Sequence, residues 1–501
     1  MFVHHYDAIL LGTERATRWL ALSLVRRSWQ VLRVVYGPIG STFRFGDYRL
    51  RRGTTLRSSP VGHWSRRVLD ELAANFLLRR WRPSGGGSAS IVGTGVRLRM
   101  LPLGDSLDEE FERQEGLEAS SGRLAEWRRQ AGAHLGPALS NAAESATSGW
   151  FRRRALSRVL RSDEGRAREL CEEYMAITRV GGTLSSRFQT YEDAFDVSTD
   201  DEATIRLESL VRMTGPAVEV IGGAETLDAW ADEQLERANV RIVRAQRPPT
   251  LRSGREGHVA LDLDGDVVGG EALVEFDEGA APTSASQLAP RLSVRGSSWL
   301  PVVRRYVLCL VARADVLGAM HGLAIAVEAD PGAQLGTLWC EVYDPSGDPR
   351  HVGLVVTTDL PADVPGAAGA LATMRERILA RLERVIPFLT RHLIVVDSLH
   401  DGLPLWDYRS GAKLPVQRLS AGLAMSEPMP VRWRVGYRGL DGRLPWSRSL
   451  FAQSGGHWVV DARCAARFGA EEPFVTSSVM AQALRRAYPQ KDQVLAPWRF
   501  R

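Results

Sequence analysis

The chain is poor in every pattern that would assign a chemistry on its own. Only 4 of its 501 residues are cysteine. Cys171, Cys309, Cys340 and Cys464 stand far apart and form no Cys-x-x-Cys pair. That excludes a thiolate zinc site and a disulfide framework, and leads us to expect a reduced, cytoplasmic protein. The 10 histidines include one adjacent pair, His4 and His5, at the terminus. There is no His-Glu-x-x-His, no P-loop and no nucleophile elbow, so neither a metal site nor a catalytic triad is expected. No apolar run reaches the roughly 20 residues that a membrane helix needs. The N-terminus lacks the charged-then-apolar pattern of a signal peptide. A strong charge of one sign is missing too. The net charge is +5, with no helix-turn-helix, finger or basic-aromatic motif, so nucleic acid is not an expected partner.

What is present reads as a soluble globular protein. Hydrophobic residues make up 44% and charged residues 25%, both ordinary values. A chain of 501 residues is too long for one core, so two or three domains are expected. The N-terminus is organised first. Residues 8–11 are a short apolar run ended by Gly12, which suits a buried parallel strand. Residues 16–28 carry Trp19, Leu20, Leu22, Leu24 and Val25, with Arg18, Arg26 and Arg27 available to water, which suits a crossover helix. Val31 to Val35 is a second strand. Strand, helix and strand in about thirty residues open a dinucleotide-binding domain.

The glycines of that fold are largely missing. In the turn from Gly12 to Thr17, only the first of three fingerprint glycines is kept. Glu14 takes the second position and Thr17 the third. A helix N-terminus attracts anions, and the Glu14 carboxylate competes for that place and opposes a diphosphate. The second strand ends at Val35 and Tyr36, neither of them the acid that would bind a ribose hydroxyl.

The later stretches carry a resemblance. Gly37 to Gly53, through Gly40, Phe43, Phe45 and Tyr48, reads as a glycine turn followed by a hairpin. A helix pattern runs from Gly62 to Trp81. A second block from Gly222-Gly223 through Trp230 to Ile242 reads as turn, helix and strand. A hairpin from His258 to Val268 turns at Asp264-Gly265, and Ala272 to Phe276 returns as a strand. In this order the chain resembles the FAD-dependent amine oxidoreductase and phytoene desaturase superfamily, which includes carotenoid isomerases. The flavin-free Rab GDP-dissociation inhibitors share that fold.

The resemblance implies an α/β protein. Its Rossmann-like FAD/NAD(P)-binding domain would come from residues 1–85, 215–280 and 440–501. A helical cap would fill 86–214, and a mixed-sheet substrate domain 281–439. It implies cofactor contacts at Gly12, Gly40 and Gly53 through their backbones, with Glu14 and Arg15 at the phosphate turn. Gly12→Val would then strip a bound flavin and leave the fold largely intact. The stretch 449–456 resembles the strand that brings relatives back to the flavin; Gln453 replaces a glycine and no acid follows. Glu471 and Glu472 stand where relatives use small residues ahead of the last helix.

Between these blocks, residues 303–328 and 337–358 are rich in strand-forming runs. Residues 366–385 read as a helix, followed by a strand from Leu393 to Val396. Trp150 to Arg161 is a basic amphipathic stretch whose apolar residues 151, 156, 159 and 160 fall near one face. It reads as a cap helix packed on the domain; peripheral contact with an anionic membrane is the alternative.

Two functions fit. One is an FAD-dependent oxidoreductase or isomerase acting on an apolar, isoprenoid-like substrate. The other is a cofactor-free homologue that binds a protein partner or an apolar small molecule. Departures at Glu14, Thr17, Val35, Gln453 and Glu471–Glu472 all fall where a flavin would touch. They favour the second, with no cofactor.

Overall fold

The computed structural model describes residues 4–35, 42–54, 63–83, 89–93, 96–100, 118–148, 150–179, 182–194, 197, 202–214, 218–220, 225–245, 249–253, 259–263, 265–277, 297–317, 324–330, 335–361, 368–401, 405–407, 412–414, 431–437, 450–461, 468 and 471–491. The chain opens with strand β1 (His4–Gly12), helix α1 (Glu14–Val25) and strand β2 (Val31–Val35). A hairpin follows, β3 (Thr42–Phe45) and β4 (Tyr48–Arg51). Helix α2 (His63–Glu71), a 3-10 turn (Asn75–Arg80) and β5 (Trp81–Pro83) lead to β6 (Ala89–Gly93) and β7 (Val96–Met100). Helices α3 (Glu118–Thr147), α4 (Trp150–Thr178), α5 (Gly182–Ala194) and α6 (Ala203–Met213) come next. The chain then runs through β8 (Val218–Val220), α7 (Glu225–Arg237), β9 (Arg241–Arg244), β10 (Thr250–Ser253), β11 (Val259–Leu263) and β12 (Asp266–Asp277). It continues with β13 (Ser297–Arg313), β14 (Ala324–Val327), β15 (Leu338–Tyr343), β16 (His351–Pro361), α8 (Ala368–Val385) and α9 (Leu389–His392). Strands β17 (Leu393–Asp397), β18 (Leu405–Asp407), β19 (Ala412–Leu414) and β20 (Val431–Tyr437) precede β21 (Phe451–Ser454), β22 (His457–Asp461) and helix α10 (Glu472–Ala487).

The first sheet has the order β10-β11-β12-β1-β2-β9, with β22 on the second half of β12 and β21 beyond it. β1 lies parallel to β2, with Ala8 opposite Val31 and Gly12 opposite Val35. β1–β12, β2–β9 and β12–β22 are parallel as well. Alternation along each strand sends residues to opposite faces. Ala8, Leu10, Val31, Ala272, Val274 and Phe276 meet the core shared with α1, α2, α7 and α10. Ile9, Leu11, Leu32, Val34 and Leu273 are covered by Val259, Leu261 and Leu263 of the curled hairpin. With both faces buried, each strand reads as a continuous apolar run. The turn of that hairpin is held by Gly265, at φ 101°. Its N–H donates to Asp262 Oδ1 at 3.0 Å.

The second sheet has the order β19-β18-β17-β13-β16-β15-β14-β6-β7, with β20 also on β13. It is mixed, because β14 and β6 run parallel while the other pairs are antiparallel. Leu371, Ile378 and Leu382 of α8 pack on one face, against Leu308, Leu310, Leu354 and Val356. The other face receives Tyr48 and Leu50 of the β3–β4 hairpin, against Val307, Cys309 and Val355. The stretch 86–214, expected as a helical cap, also supplies β6 and β7 to this sheet. Its helices pack on the same sheet: Trp127, Tyr174, Phe188 and Leu207 share a core with Ala324, Ala326 and Trp339. Among the described residues no helix is long and apolar enough to cross a membrane.

Candidate functional site

In a dinucleotide-binding fold the ligand's phosphates meet the turn after the first strand. Here β1 ends at Gly12 and α1 begins at Glu14. A Cβ on Gly12 would lie 2.9 Å from Phe276 Cβ and 3.1 Å from its Cδ2. Glycine is therefore required by the packing of β1 on β12. Gly12→Val would strike the core, which corrects the expectation that it leaves the fold intact.

Thr17, at the third fingerprint position, is fully buried. Its hydroxyl donates to Thr13 O at 2.9 Å and accepts from Arg33 Nε at 3.2 Å. Arg33 sits inside β2, 1% exposed, with Nη1 3.6 Å from Asp232 Oδ1. Arg18, expected in water, is 5% exposed. It donates through Nε and Nη2 to the two oxygens of Asp232, both at 2.8 Å, and Nη1 lies 3.1 Å from Asp228 Oδ1. Asp228 and Asp232 are four apart on α7 and so share a face. Arg18 of α1 and Arg33 of β2 are thus both committed to carboxylates of the chain itself.

The start of α10 is acidic. Glu471 is fully buried, and its Oε2 accepts the Ser65 N–H at 2.7 Å. Ser65 is the third residue of α2, where backbone N–H groups have no partner within the helix. The Glu471 side chain therefore fills the N-terminus of α2. Arg212 of α6 donates to Phe468 O at 2.9 Å, and its Nη2 stands 3.8 Å from Glu208 Oε2. That oxygen accepts no hydrogen bond among the described residues. Burial pushes the Glu208 carboxyl up to about 7; Arg212 opposes the rise and Glu471 adds to it. Burial also raises Glu472, with Arg15 pulling the other way. Arg15 is exposed on the first turn of α1. The two helices pack through Ser23 Oγ and Ser477 Oγ at 2.9 Å, and through Trp19 against Phe474 at 4.7 Å.

Two strand ends complete the corner. β2 ends at Val35 with no acid. The stretch expected to return to the flavin is β21, an antiparallel edge strand on β22. The strand that enters the sheet beside β12 is β22, and it ends in an acid, Asp461, opposite Asp277. Gln453 is therefore not a departure at the cleft; it is exposed and donates to Gly455 O at 3.2 Å. Periodicity does not separate two short apolar strands joined by a tight turn.

Of the residues expected at the cofactor, Gly12, Glu14 and Arg15 lie together at the β1–α1 turn. A Cβ on Gly53 would meet nothing within 4 Å, so protein packing does not explain a glycine there. Gly40, Gly222, Gly223 and the side chain of Glu14 lie outside the described residues. Sequence reasoning missed Arg33, Asp228, Asp232, Glu208 and Asp461. A charge inside the β-branched run 31–35 was the signal available for Arg33. Among the described residues no cluster of His, Cys, Asp and Glu could hold a metal ion.

No family model matches the chain, and no curated protein matches it. Solved structures do. Wild-type putrescine oxidase bound to putrescine aligns at a TM-score of 0.53 and 14% identity, covering 97% of this chain and 99% of that one. A double mutant of putrescine oxidase, from a redesign of cofactor binding, aligns at 0.53 and 12% identity over the same shares. A triple mutant from that redesign aligns at 0.53 and 13% identity, again over 97% and 99%. The fold is that of the FAD-dependent amine oxidases.

Proposed function

We propose that the chain keeps this fold as a cofactor-free binding protein, its cleft serving a protein partner or an apolar ligand in place of FAD. The observation that carries the reading is the pair Glu471 and Glu472. Glu471 fills the N-terminus of α2, and Glu472 follows it as the first residue of α10, within electrostatic reach of Arg15 on α1. Those are the places where backbone N–H groups and a helix dipole would otherwise favour phosphate. A carboxylate about 4 Å from a phosphate charge costs roughly 4 kcal/mol at an effective dielectric of about 20. That corresponds to about three powers of ten in affinity. Arg18 and Arg33 do not offset it, being paired with Asp228 and Asp232.

Asp461 favours the second reading, an active FAD-dependent oxidoreductase or isomerase acting on an apolar, isoprenoid-like substrate. A bound flavin would supply the redox chemistry, and the chain would hold it with the backbones at Gly12, Gly40 and Gly53. One experiment separates the two. The protein is purified, its visible spectrum recorded, and any flavin released by denaturation is quantified; FAD is then titrated calorimetrically. We expect a colourless protein and no binding heat, with weak FAD binding appearing in Glu471→Gln/Glu472→Gln. A yellow protein with near-stoichiometric FAD establishes the second reading instead.

A further inference from the structure

We propose that the first three turns of α4 form a docking face for an anionic lipid surface. Between Trp150 and Ser162 the chain has five arginines and no acidic residue. The four apolar residues expected to share a buried face do not share one. At about 100° per residue, Phe151 and Leu160 point to opposite sides of the helix. Leu156 is 7% exposed and Leu160 packs on the core of the first sheet. Phe151 is 83% exposed and Val159 41%. Ala155, between them on the same stripe, is exposed as well.

Exposed arginines flank that stripe: Arg154, Arg158 and Arg161 on one side and Arg152 on the other. Arg152 is bridged to Glu144 at 2.8 Å while remaining 61% exposed. Arg486 of α10 donates to Thr147 Oγ1 at 2.7 Å and Ser148 Oγ at 3.0 Å, bringing a further cation to the same end. An aromatic ring with aliphatic neighbours inside a ring of arginines matches the lipid headgroup boundary. The ring and Val159 enter the acyl edge, while the arginines extend their charges to the headgroups. A nucleic acid would satisfy the charges but offers Val159 and Ala155 no apolar phase. The face is independent of the cleft, so it stands whether or not FAD binds.

The test is co-sedimentation with vesicles of phosphatidylcholine alone and of phosphatidylcholine mixed with phosphatidylglycerol. The full chain is expected to pellet with the mixed vesicles only, and to be released as added salt shortens the screening length. Arg154→Ala/Arg158→Ala is expected to weaken partition about five-fold per arginine, roughly 25-fold together. Phe151→Ser is expected to weaken it about ten-fold. Both variants should melt like the wild type, since the altered side chains are exposed. A wild type that stays in the supernatant with mixed vesicles overturns the proposal, as do variants that pellet unchanged. Retention on duplex DNA without vesicle binding assigns the arginines to nucleic acid and overturns it equally.

Discussion

Replacing Glu208 by glutamine tests the acidic corner behind α10 directly. The Glu208 carboxyl is raised to about 7 in the folded chain, against an ordinary value of 4.5. Between those values the native state holds a proton that the unfolded chain has released. Stability is therefore fully present below about pH 4.5 and falls as pH rises towards 7. At about 1.36 kcal/mol per pH unit, the loss is on the order of 3 kcal/mol. Glu208 is only 5% exposed, so solvent screening takes little of this away. Glutamine is neutral at every pH and should abolish this part of the slope. Thermal melts from pH 4.5 to 8 are the assay. The wild-type midpoint should fall by several degrees across that range, on the order of 5–10 °C if the surrounding cores unfold together. Glu208→Gln should stay flatter and melt higher above pH 7. Glu471→Gln should move the wild-type inflection to lower pH, because Glu471 helps to raise Glu208. Parallel pH slopes for wild type and Glu208→Gln would refute the buried, protonated acid.

Two further substitutions probe the frame. Gly12→Val should cost about 1–3 kcal/mol through overpacking against Phe276, seen as a lower melting temperature in flavin-free protein; an unchanged midpoint would leave Gly12 to the ligand alone. Asp401 accepts from Tyr306 Oη at 2.8 Å and from Arg375 Nε and Nη2, both at 2.9 Å. Asp401→Asn removes the carboxylate charge opposite the buried Arg375 and should cost about 3–5 kcal/mol in denaturant titrations.

The frame was legible because its signals are local. Residues 8–11 and 31–35 are apolar throughout, and both faces of the first sheet are covered. The Asp264-Gly265 turn announced its hairpin, and the helix at 366–385 appears as Ala368–Val385. The site was less legible because its partners are distant in sequence. Arg18 finds Asp232 across 214 residues, and nothing near position 18 signals that pairing. Arg33 was absorbed into a strand pattern although its charge needed a partner inside the core. The stretch 150–161 misled for a geometric reason. Its four apolar residues span about half the helix circumference, more than one packing surface can cover.

Glu471 also ties the fold together. The Glu471–Ser65 hydrogen bond joins segments 406 residues apart, with the Ser65 N–H of α2 donating to the carboxylate. On the proposed reading, truncating Glu471 removes repulsion towards a diphosphate. It also removes the hydrogen bond to the Ser65 N–H, worth about 1–3 kcal/mol where a carboxylate accepts it. On the proposed reading a bound phosphate would take the carboxylate's place beside Ser65, and ligand should then raise the variant's melting temperature more than the wild type's. The same substitution removes the carboxylate that helps to raise Glu208, so that Arg212 would draw Glu208 towards its ordinary value. Stability and the pH response of Glu208 thus meet at one side chain.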